Sequence, residues 1–577
     1  MTNLQIAKLL RAVAAALSLS KGDNRFRIVA YQRAADAVEH SSSEAKDLWD
    51  EGRIGDLAGV GEALSAHLDE LFRTGKVKHF TAILKPFPPA IFELMEVPGV
   101  GPKRAYKLCQ ELGISNAHSA IAKLEKAARR GRIRTLVGFG DDSEAEIIRG
   151  ITEFKGRSTR LLLPVAQGLA DSLISWLKKS PHVKRADPLG SLRRQASTVG
   201  DVDLSAASDH PRAVIEHFTH YPKKLRVLEA GDHTASLILP NDYQVDLMVQ
   251  PPEAYGSLLT HFTGSKHHNI ALREMAIKKG YSISEYGIKT SSGLKKFPTE
   301  ETFYQFLGLE WIPPELREAG GEIEAAKNHS LPKLVELSDI RGDLQIHSNI
   351  NVEPSHDLGT SSLADLAAVA HKLGYEYIGV TEHNPSASQH TAGQVIDIIK
   401  RKTDQVHRFT GPVHIFNGLE IDIQPDGRRA LPDAALELLD YACVSVHSSF
   451  RADRLSMTRR VLAALDHPKV KFFAHPTARL LGEREGIELD WDQIFDFCVK
   501  HGKWLEIDGW PNRLDLPDNL VHEAVKHGVK MVVDTDSHAA AQLVYMRYGV
   551  SVARRGWATA ADIINTCPQN RLVQLLS

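Results

Sequence analysis

Apolar positions spaced three and four apart dominate the first third of the chain, and the pattern then changes twice. Residues 1–85 read as short amphipathic helices interrupted at Gly22-Asp23-Asn24, Gly52 and Gly75, and residues 86–156 repeat this pattern after the cluster Pro86, Pro88, Pro89. From about residue 160 a helix gives way to alternating runs at Val202–Leu204, Ala235–Leu239 and Gln244–Val249, which predicts an α+β module over 157–257. A helical stretch within 258–319 ends at Pro313-Pro314, and Glu322–Leu337 reads as a linker helix within 320–338. Over 339–577 short apolar strands alternate with helices, which predicts a β/α barrel or layered sheet. A chain of 577 residues exceeds what one hydrophobic core supports, so the expectation is a multi-domain protein.

Charge sharpens this division. Residues 1–160 hold 25 Lys and Arg against 20 Asp and Glu, residues 161–330 hold 19 against 20, and the remainder holds 26 against 32. The basic front is suited to phosphate contacts and equally to solvated helix faces, whereas the acidic back suits a domain rich in metal ligands. No segment approaches the ~20 consecutive apolar residues of a membrane span. Ala12–Leu19 is followed by a polar run and reads as a helix, not a signal peptide. Cys109, Cys443, Cys498 and Cys567 form no CxxC pair, which suggests a reducing cytoplasm without disulfides.

Three segments share an apolar-x-Gly-apolar-Gly core: Leu57–Gly61, Val97–Gly101 and Leu136–Gly140. The first two open helical patterns, the signature of helix-hairpin-helix units. Gly59, Gly61, Gly99 and Gly101 let backbone N–H groups converge on a phosphate at a helix start, and Lys103 adds a cation. Such contacts reach the nucleic-acid backbone, so they imply binding without sequence preference. The third copy lacks the basic residues that follow Gly101 and is equally read as a turn.

Gly190-Ser191-Leu192-Arg193-Arg194 is followed by Gly200-Asp201-Val202-Asp203-Leu204. Residues two apart on a strand share a face, so Asp201 and Asp203 present paired carboxylates, and Asp246 in Tyr243–Val249 adds a third from a neighbouring strand. Three hard carboxylates suit two Mg²⁺ ions, which activate a hydroxyl and neutralise a pyrophosphate leaving group. Gly190, Ser191 and Arg194 are positioned in sequence to grip nucleotide phosphates.

These motifs resemble the palm of the family X DNA polymerases, the group of the beta polymerase. Asn24–Tyr31 is similar to that family's FRxxAY segment, and Glu285-Tyr286-Gly287 to a thumb motif. Phe262–Ser265 through Arg273 resembles the segment lining the incoming nucleotide. The resemblance implies that Phe262 and Gly264 press on its sugar and that Asn269 and Arg273 sit at the nascent base pair. It further implies a lyase-like domain over 1–85, fingers over 86–156, a palm over 157–257 and a thumb over 258–319. It implies dNTP and gapped-DNA substrates, and short-gap filling in base excision repair by a monomer. Two positions depart from the family: His261 stands where a Tyr usually contacts the sugar, and His67 aligns with the Schiff-base lysine. An imidazole forms no imine, so weak or absent deoxyribose-phosphate lyase activity is expected.

Behind position 339, the apolar runs Tyr377–His383, Ile415–Glu420, Ala442–His447, Lys471–His475, Trp504–Asp508 and Met531–His538 end in an acid or histidine, preceded by Leu344–Ser348. Strand ends are where β/α barrels place chemistry, and mixed His and carboxylate ligands favour Zn²⁺ or Mn²⁺. The pattern resembles the polymerase and histidinol phosphatase (PHP) domain, a distorted barrel. This resemblance implies His347, His383, Glu420, His447, His475, Asp536 and His538 as ligands and a manganese-dependent 3′–5′ exonuclease. Gln345 replaces the first His of the opening motif. At a further ligand position Leu358 is in register, with Asp357 or His356 as substitutes, and Glu382 replaces the usual Asp before His383. A phosphoesterase whose front half only binds DNA, or a non-catalytic repair scaffold, are the alternatives.

Overall fold

The helices of the first part of the chain each carry one apolar stripe, which is buried only by packing against another helix. A computed structural model describes residues 3–20, 25–39, 45, 49, 54–56, 60–158, 160–240, 243–386 and 388–577. Two units result, Met1–Thr159 and Arg160–Ser577.

In the first unit, helices Asn3–Leu19, Arg25–Glu39, Glu62–Thr74 and Lys78–Leu84 enclose Leu10, Val13, Tyr31, Leu68 and Phe80. A second cluster, including Ile91, Val97, Leu108, Leu124 and Ile147, unites Ala90–Leu94, Pro102–Leu112, Ala120–Arg129 and Asp141–Ser158. Gly101 is the N-cap before Pro102, whose missing N–H costs nothing at a first helical position. Gly99 turns the chain at φ +84°, and Gly138 does the same at φ +81° before Asp141–Ser158, so the third glycine segment also opens a helix. A Cβ on Gly150 would lie 2.2 Å from the Pro98 carbonyl, so only glycine lets that helix pack on the hairpin turn. Glu144 is fully buried because it accepts from the N–H groups of Ile133 and Arg134, both at 3.0 Å.

The second unit opens with helix Leu163–Leu177 and a five-stranded sheet. Its order is Arg185–Pro188, Val202–Ala207, Gln244–Gln250, Thr234–Ile238 and Arg226–Ala230, with only the Val202–Ala207 and Gln244–Gln250 pair parallel. Tyr255–Thr263, Lys266–Lys278, a three-stranded antiparallel sheet and Glu300–Phe306 follow. The expected linker helix is shorter than Glu322–Leu337. It covers Glu322–Lys327 only, because His329 adopts φ +54° and Pro332 cannot continue an α-helix.

In the C-terminal part every strand pairing is parallel. Gly342–Ile346, Tyr377–Val380 and His414–Asn417 form one sheet; Glu420–Asp422, Ala442–Ser445, Val470–Phe473, Trp504–Asp508 and Lys530–Asp534 form the other. Both sides of the strands are covered, hence their buried runs. Among the described residues the sheets do not merge into one continuous ladder. They meet at single bridges, His383 with Glu420 and Ile346 with Ser537. The break between Asn417 and Glu420 has a visible cause. The fully buried Lys402 ammonium donates to Val380 O at 3.1 Å, Asn417 Oδ1 at 2.8 Å and Gly418 O at 2.6 Å, and pairs with Glu382 at 2.9 Å.

Candidate active sites

Strand pairing places the first site. Asp203 and Asp246 are direct partners on the parallel strands, and Asp201 precedes Val202–Ala207 by one residue. Burial, then the charges of Asp246 and Asp201, push the Asp203 carboxyl up to about 6. Three acids gathered beside one another form a site short of positive charge, which is the electrostatic condition for divalent cations. Gly190 is close enough that a Cβ would stand 3.3 Å from Asp203 Oδ2, and its φ of +56° suits glycine. It opens the short helix Gly190–Arg193, in which Ser191 is half-buried. Gln244 Nε2 donates to both oxygens of Asp246 at 3.1 Å.

Arg194 is half-buried and already engaged: Nε donates to Glu318 Oε1 at 2.8 Å and Nη1 to Thr263 O at 2.5 Å. Its Nη1 would lie 3.0 Å from a Cβ on Gly264, so this glycine admits the guanidinium. Phe262 packs beside His261, whose carbonyl accepts from Asn269 Nδ2 at 2.7 Å, while Arg273 is exposed. A group to which the sequence reading attached no role holds this segment. Glu300, 4% exposed, takes Arg193 at 2.7 and 2.8 Å and Arg317 at 2.7 Å, and Arg193 Nη1 also reaches Thr263 Oγ1 at 2.5 Å. Burial alone would raise the Glu300 carboxyl; the two guanidinium groups instead hold it far below the usual range.

The second site gathers all seven expected His and acid residues. His475 Nε2 lies 3.0 Å and His447 Nε2 3.5 Å from Glu420 Oε1, and His383 Nδ1 lies 3.1 Å from Glu420 Oε2. His347 Nε2 stands 3.4 Å from Glu420 Oε2 and 3.0 Å from Asp536 Oδ1. Asp357 joins them, 3.2 Å from His383 Nε2 and 3.3 Å from His538 Nε2. Asp357, and not the in-register Leu358, therefore reaches the cluster. His356 instead meets Asp422 Oδ1 at 2.9 Å, and the same oxygen takes His447 Nδ1 at 2.8 Å. This carboxylate leaves His447 Nε2 facing Glu420, the outer-sphere arrangement that orients metal-binding imidazoles.

The donor set fits divalent metal. His347, Glu420 and Asp536, and separately His383, Glu420 and His447, bring donor atoms within 4.8 Å of one another. His383 Nδ1 and Glu420 Oε2 approach each other without satisfying each other, and these two atoms and His538 Nε2 are buried without a hydrogen bond. Although burial opposes it, His383, His475 and His447 hold the Glu420 carboxyl well below its ordinary range. Burial, and then the charge of His356, push the His447 imidazole down to about 4, keeping it neutral. Gln345 is buried beside this cluster with Oε1 3.7 Å from Cys443 Sγ and Nε2 without a partner. Arg513 points inward too, 3.7 Å from Asp508 and 3.9 Å from Asp536.

Three family models match segments of the chain: a helix-hairpin-helix domain over 1–77, a SAM-like helix-hairpin-helix tandem over 91–153 and the DNA polymerase beta thumb over 258–318. The DNA polymerase/3′-5′ exonuclease PolX of Bacillus subtilis (strain 168) is 34% identical over 567 residues, covering 97% of this chain and 96% of its own. The chain belongs to the family X DNA polymerases. DNA polymerase lambda of Arabidopsis thaliana is 23% identical over 333 residues, 51% of this chain and 58% of its own. DNA polymerase lambda of Rattus norvegicus is likewise 23% identical over 350 residues, 55% and 56% of the two chains.

Gly59 and Asn24 lie outside the described residues. Gly61 and Gly101 border open space and Lys103 is exposed, so these hairpin turns are accessible. His67 stacks on His79 at 4.9 Å, and burial, then His79, lower its basicity. No helix of the described residues is long and apolar enough to cross a membrane.

Proposed function

We propose that this family X member is a DNA-directed DNA polymerase that fills short gaps during base excision repair. The reading is carried by the register of Asp203 with Asp246 beside Asp201. Those three carboxylates would hold Mg²⁺, which when bound activates the primer hydroxyl and balances the departing pyrophosphate. The chain's own groups do the rest. Ser191 and Arg194 orient the triphosphate, and Gly190 leaves Asp203 accessible. Phe262 and Gly264 set the sugar position, and Asn269 and Arg273 face the nascent pair. The hairpin glycines Gly59, Gly61, Gly99 and Gly101, with Lys103, take the DNA backbone. DNA and dNTPs are the partners, and the protein acts as a monomer.

The C-terminal sheets are read as an incompletely closed PHP-type barrel carrying the 3′–5′ exonuclease. His347, His383, Glu420, His447, His475, Asp536 and His538, with Asp357, would hold Mn²⁺ or Zn²⁺, which when bound supplies Lewis acidity at the scissile phosphate. Burial of these donors keeps water from hydrating them fully, and Asp422 fixes the His447 ring.

Primer extension on a one-nucleotide gap tests both halves. With Mg²⁺, Asp201→Ala is expected to abolish extension while 3′-end removal with Mn²⁺ persists, and His475→Ala to do the reverse. Extension surviving the first change would defeat the polymerase assignment. Degradation surviving the second would defeat the assignment of the C-terminal cluster.

A further inference from the structure

One helix of the C-terminal domain, Met546–Arg555, lies against the polymerase half. Arg555 Nη1 donates to the carbonyl of Arg194 at 2.8 Å and to Glu318 Oε1 at 3.1 Å. Glu318 Oε1 is the same oxygen that accepts Arg194 Nε at 2.8 Å. One turn earlier Ser551 Oγ donates to Gln195 Oε1 at 3.2 Å, and Arg554 Nε donates to Glu315 Oε1 at 2.8 Å. Arg555 is itself fixed from behind by Asp518, at 2.8 Å through Nε and 2.6 Å through Nη2. Only 8% of its side chain is exposed.

The Arg194 N–H closes the turn that begins at Gly190 by donating to the Gly190 carbonyl at 3.2 Å, and Gly190 abuts Asp203. One end of this turn therefore touches the acidic triad, while the other hangs from a guanidinium of a different domain. Glu318 adds a second link. While it pairs with Arg194 it competes with any triphosphate for that cation, and sharing it with Arg555 leaves the carboxylate a partner once Arg194 turns to phosphate. A planar guanidinium serves both acceptors and the Asp518 anchor at once, which a lysine ammonium on a flexible stem does not.

We infer that the C-terminal domain completes the polymerase's nucleotide site, with Arg555 as a positioning residue that fixes the Gly190–Arg194 turn and retains Glu318 when Arg194 engages a dNTP. The inference rests on the triphosphate role proposed for Arg194. It makes the metal-binding domain a structural component of dNTP binding, in addition to its own chemistry.

The test uses the full chain on a one-nucleotide gap with Mg²⁺ and varied dNTP, comparing wild type, Arg555→Gln, Arg555→Lys and Arg194→Ala. Mn²⁺-dependent 3′-end removal and the melting temperature are measured on the same preparations. Arg555→Gln is expected to raise the KM for dNTP about tenfold, short of the ~100-fold that a 1 Å misplacement costs. Its kcat stays within about threefold and its 3′-end removal matches wild type, because the contact positions substrate and leaves the reacting groups in place. Arg555→Lys recovers only part of the loss. An unchanged KM in Arg555→Gln overturns the inference, as does a parallel fall of both activities with melting temperature, which would make the contact a general support of the fold. Arg194→Ala with a wild-type KM would remove the reading beneath it and the inference with it. A defective Arg194→Ala beside a normal Arg555→Gln overturns the inference alone.

Discussion

Asp203 and Asp246 stand opposite one another on adjacent parallel strands, and the Asp203 carboxyl is raised to about 6 by burial and by the negative charges of Asp246 and Asp201. A carboxylate whose folded value lies above its unfolded value destabilises the fold in its charged form. That cost is present in full above about pH 6 and is relieved as pH falls through this value toward the unfolded range. Asp203→Asn is therefore expected to raise the metal-free melting transition at pH 7.5, by the equivalent of about 2 kcal/mol. Mg²⁺ should stabilise wild type at pH 7.5, less so below pH 6 where protons compete, and the Asn variant least. Calorimetry with and without Mg²⁺ checks this; an Asp203→Asn protein less stable than wild type without metal would contradict the electrostatic account.

Glu300 sits between Arg193 and Arg317, and both guanidinium groups lose their shared acceptor if it is removed. Glu300→Ala is expected to cost about 3–5 kcal/mol, the range for breaking a buried ion pair from one side. Because folding depresses this carboxyl, its contribution is intact above the ordinary value of 4.5 and disappears as pH falls below it. Wild type should thus lose stability between about pH 4.5 and 2 more steeply than Glu300→Gln. Urea unfolding across that window measures the difference, and parallel pH profiles would refute it.

What sequence reading reaches depends on how local the determining physics is. Asp201, Asp203 and Asp246 were legible because strand periodicity fixes which side chains share a face, and parallel pairing then needs only the correct register. The histidines at strand ends were legible for the same reason. Asp357 was legible only as one of two substitutes, beside His356, because its position depends on the path of a loop. Gly359 packs so tightly on His347 that a Cβ would lie 2.0 Å from its carbonyl, and this turn directs Asp357, not Leu358, toward His383. The Lys402 wedge at Gly418 and the Arg193–Glu300 pair join residues 16 and 107 positions apart, with no periodic signal linking them. The linker helix ends at Lys327 although its apolar spacing continues past His329, because the backbone there turns left-handed.

His67 stacks on His79 with the rings 11° from parallel, and Arg27 Nη2 lies 3.0 Å from His79 Nε2. This packing holds an aromatic base at the position that the resemblance assigns to the family's imine-forming amine. Borohydride treatment of the protein with deoxyribose-phosphate-ended DNA is expected to trap no adduct in residues 1–85. A covalent product mapping to that segment would show that another amine takes over the role.

Gln345 offers the opposite experiment, the restoration of a missing ligand. It is fully buried near the end of strand Gly342–Ile346, two residues before His347. His347, Glu420 and Asp536 already converge there, which leaves three donors where tetrahedral metal wants four. Among the described residues the Gln345 amide meets Cys443 Sγ through Oε1 and its Nε2 has no hydrogen-bond partner, so exchanging it forfeits little. Gln345→His is expected to tighten metal binding at this position by roughly 10–100-fold, the scale on which altering a metal's surroundings acts. Titration with Mn²⁺ or Zn²⁺, followed by bound-metal analysis and 3′-end removal, reads the change directly. Metal affinity unchanged in a properly folded Gln345→His protein would mean that the strand does not aim this position at the ion.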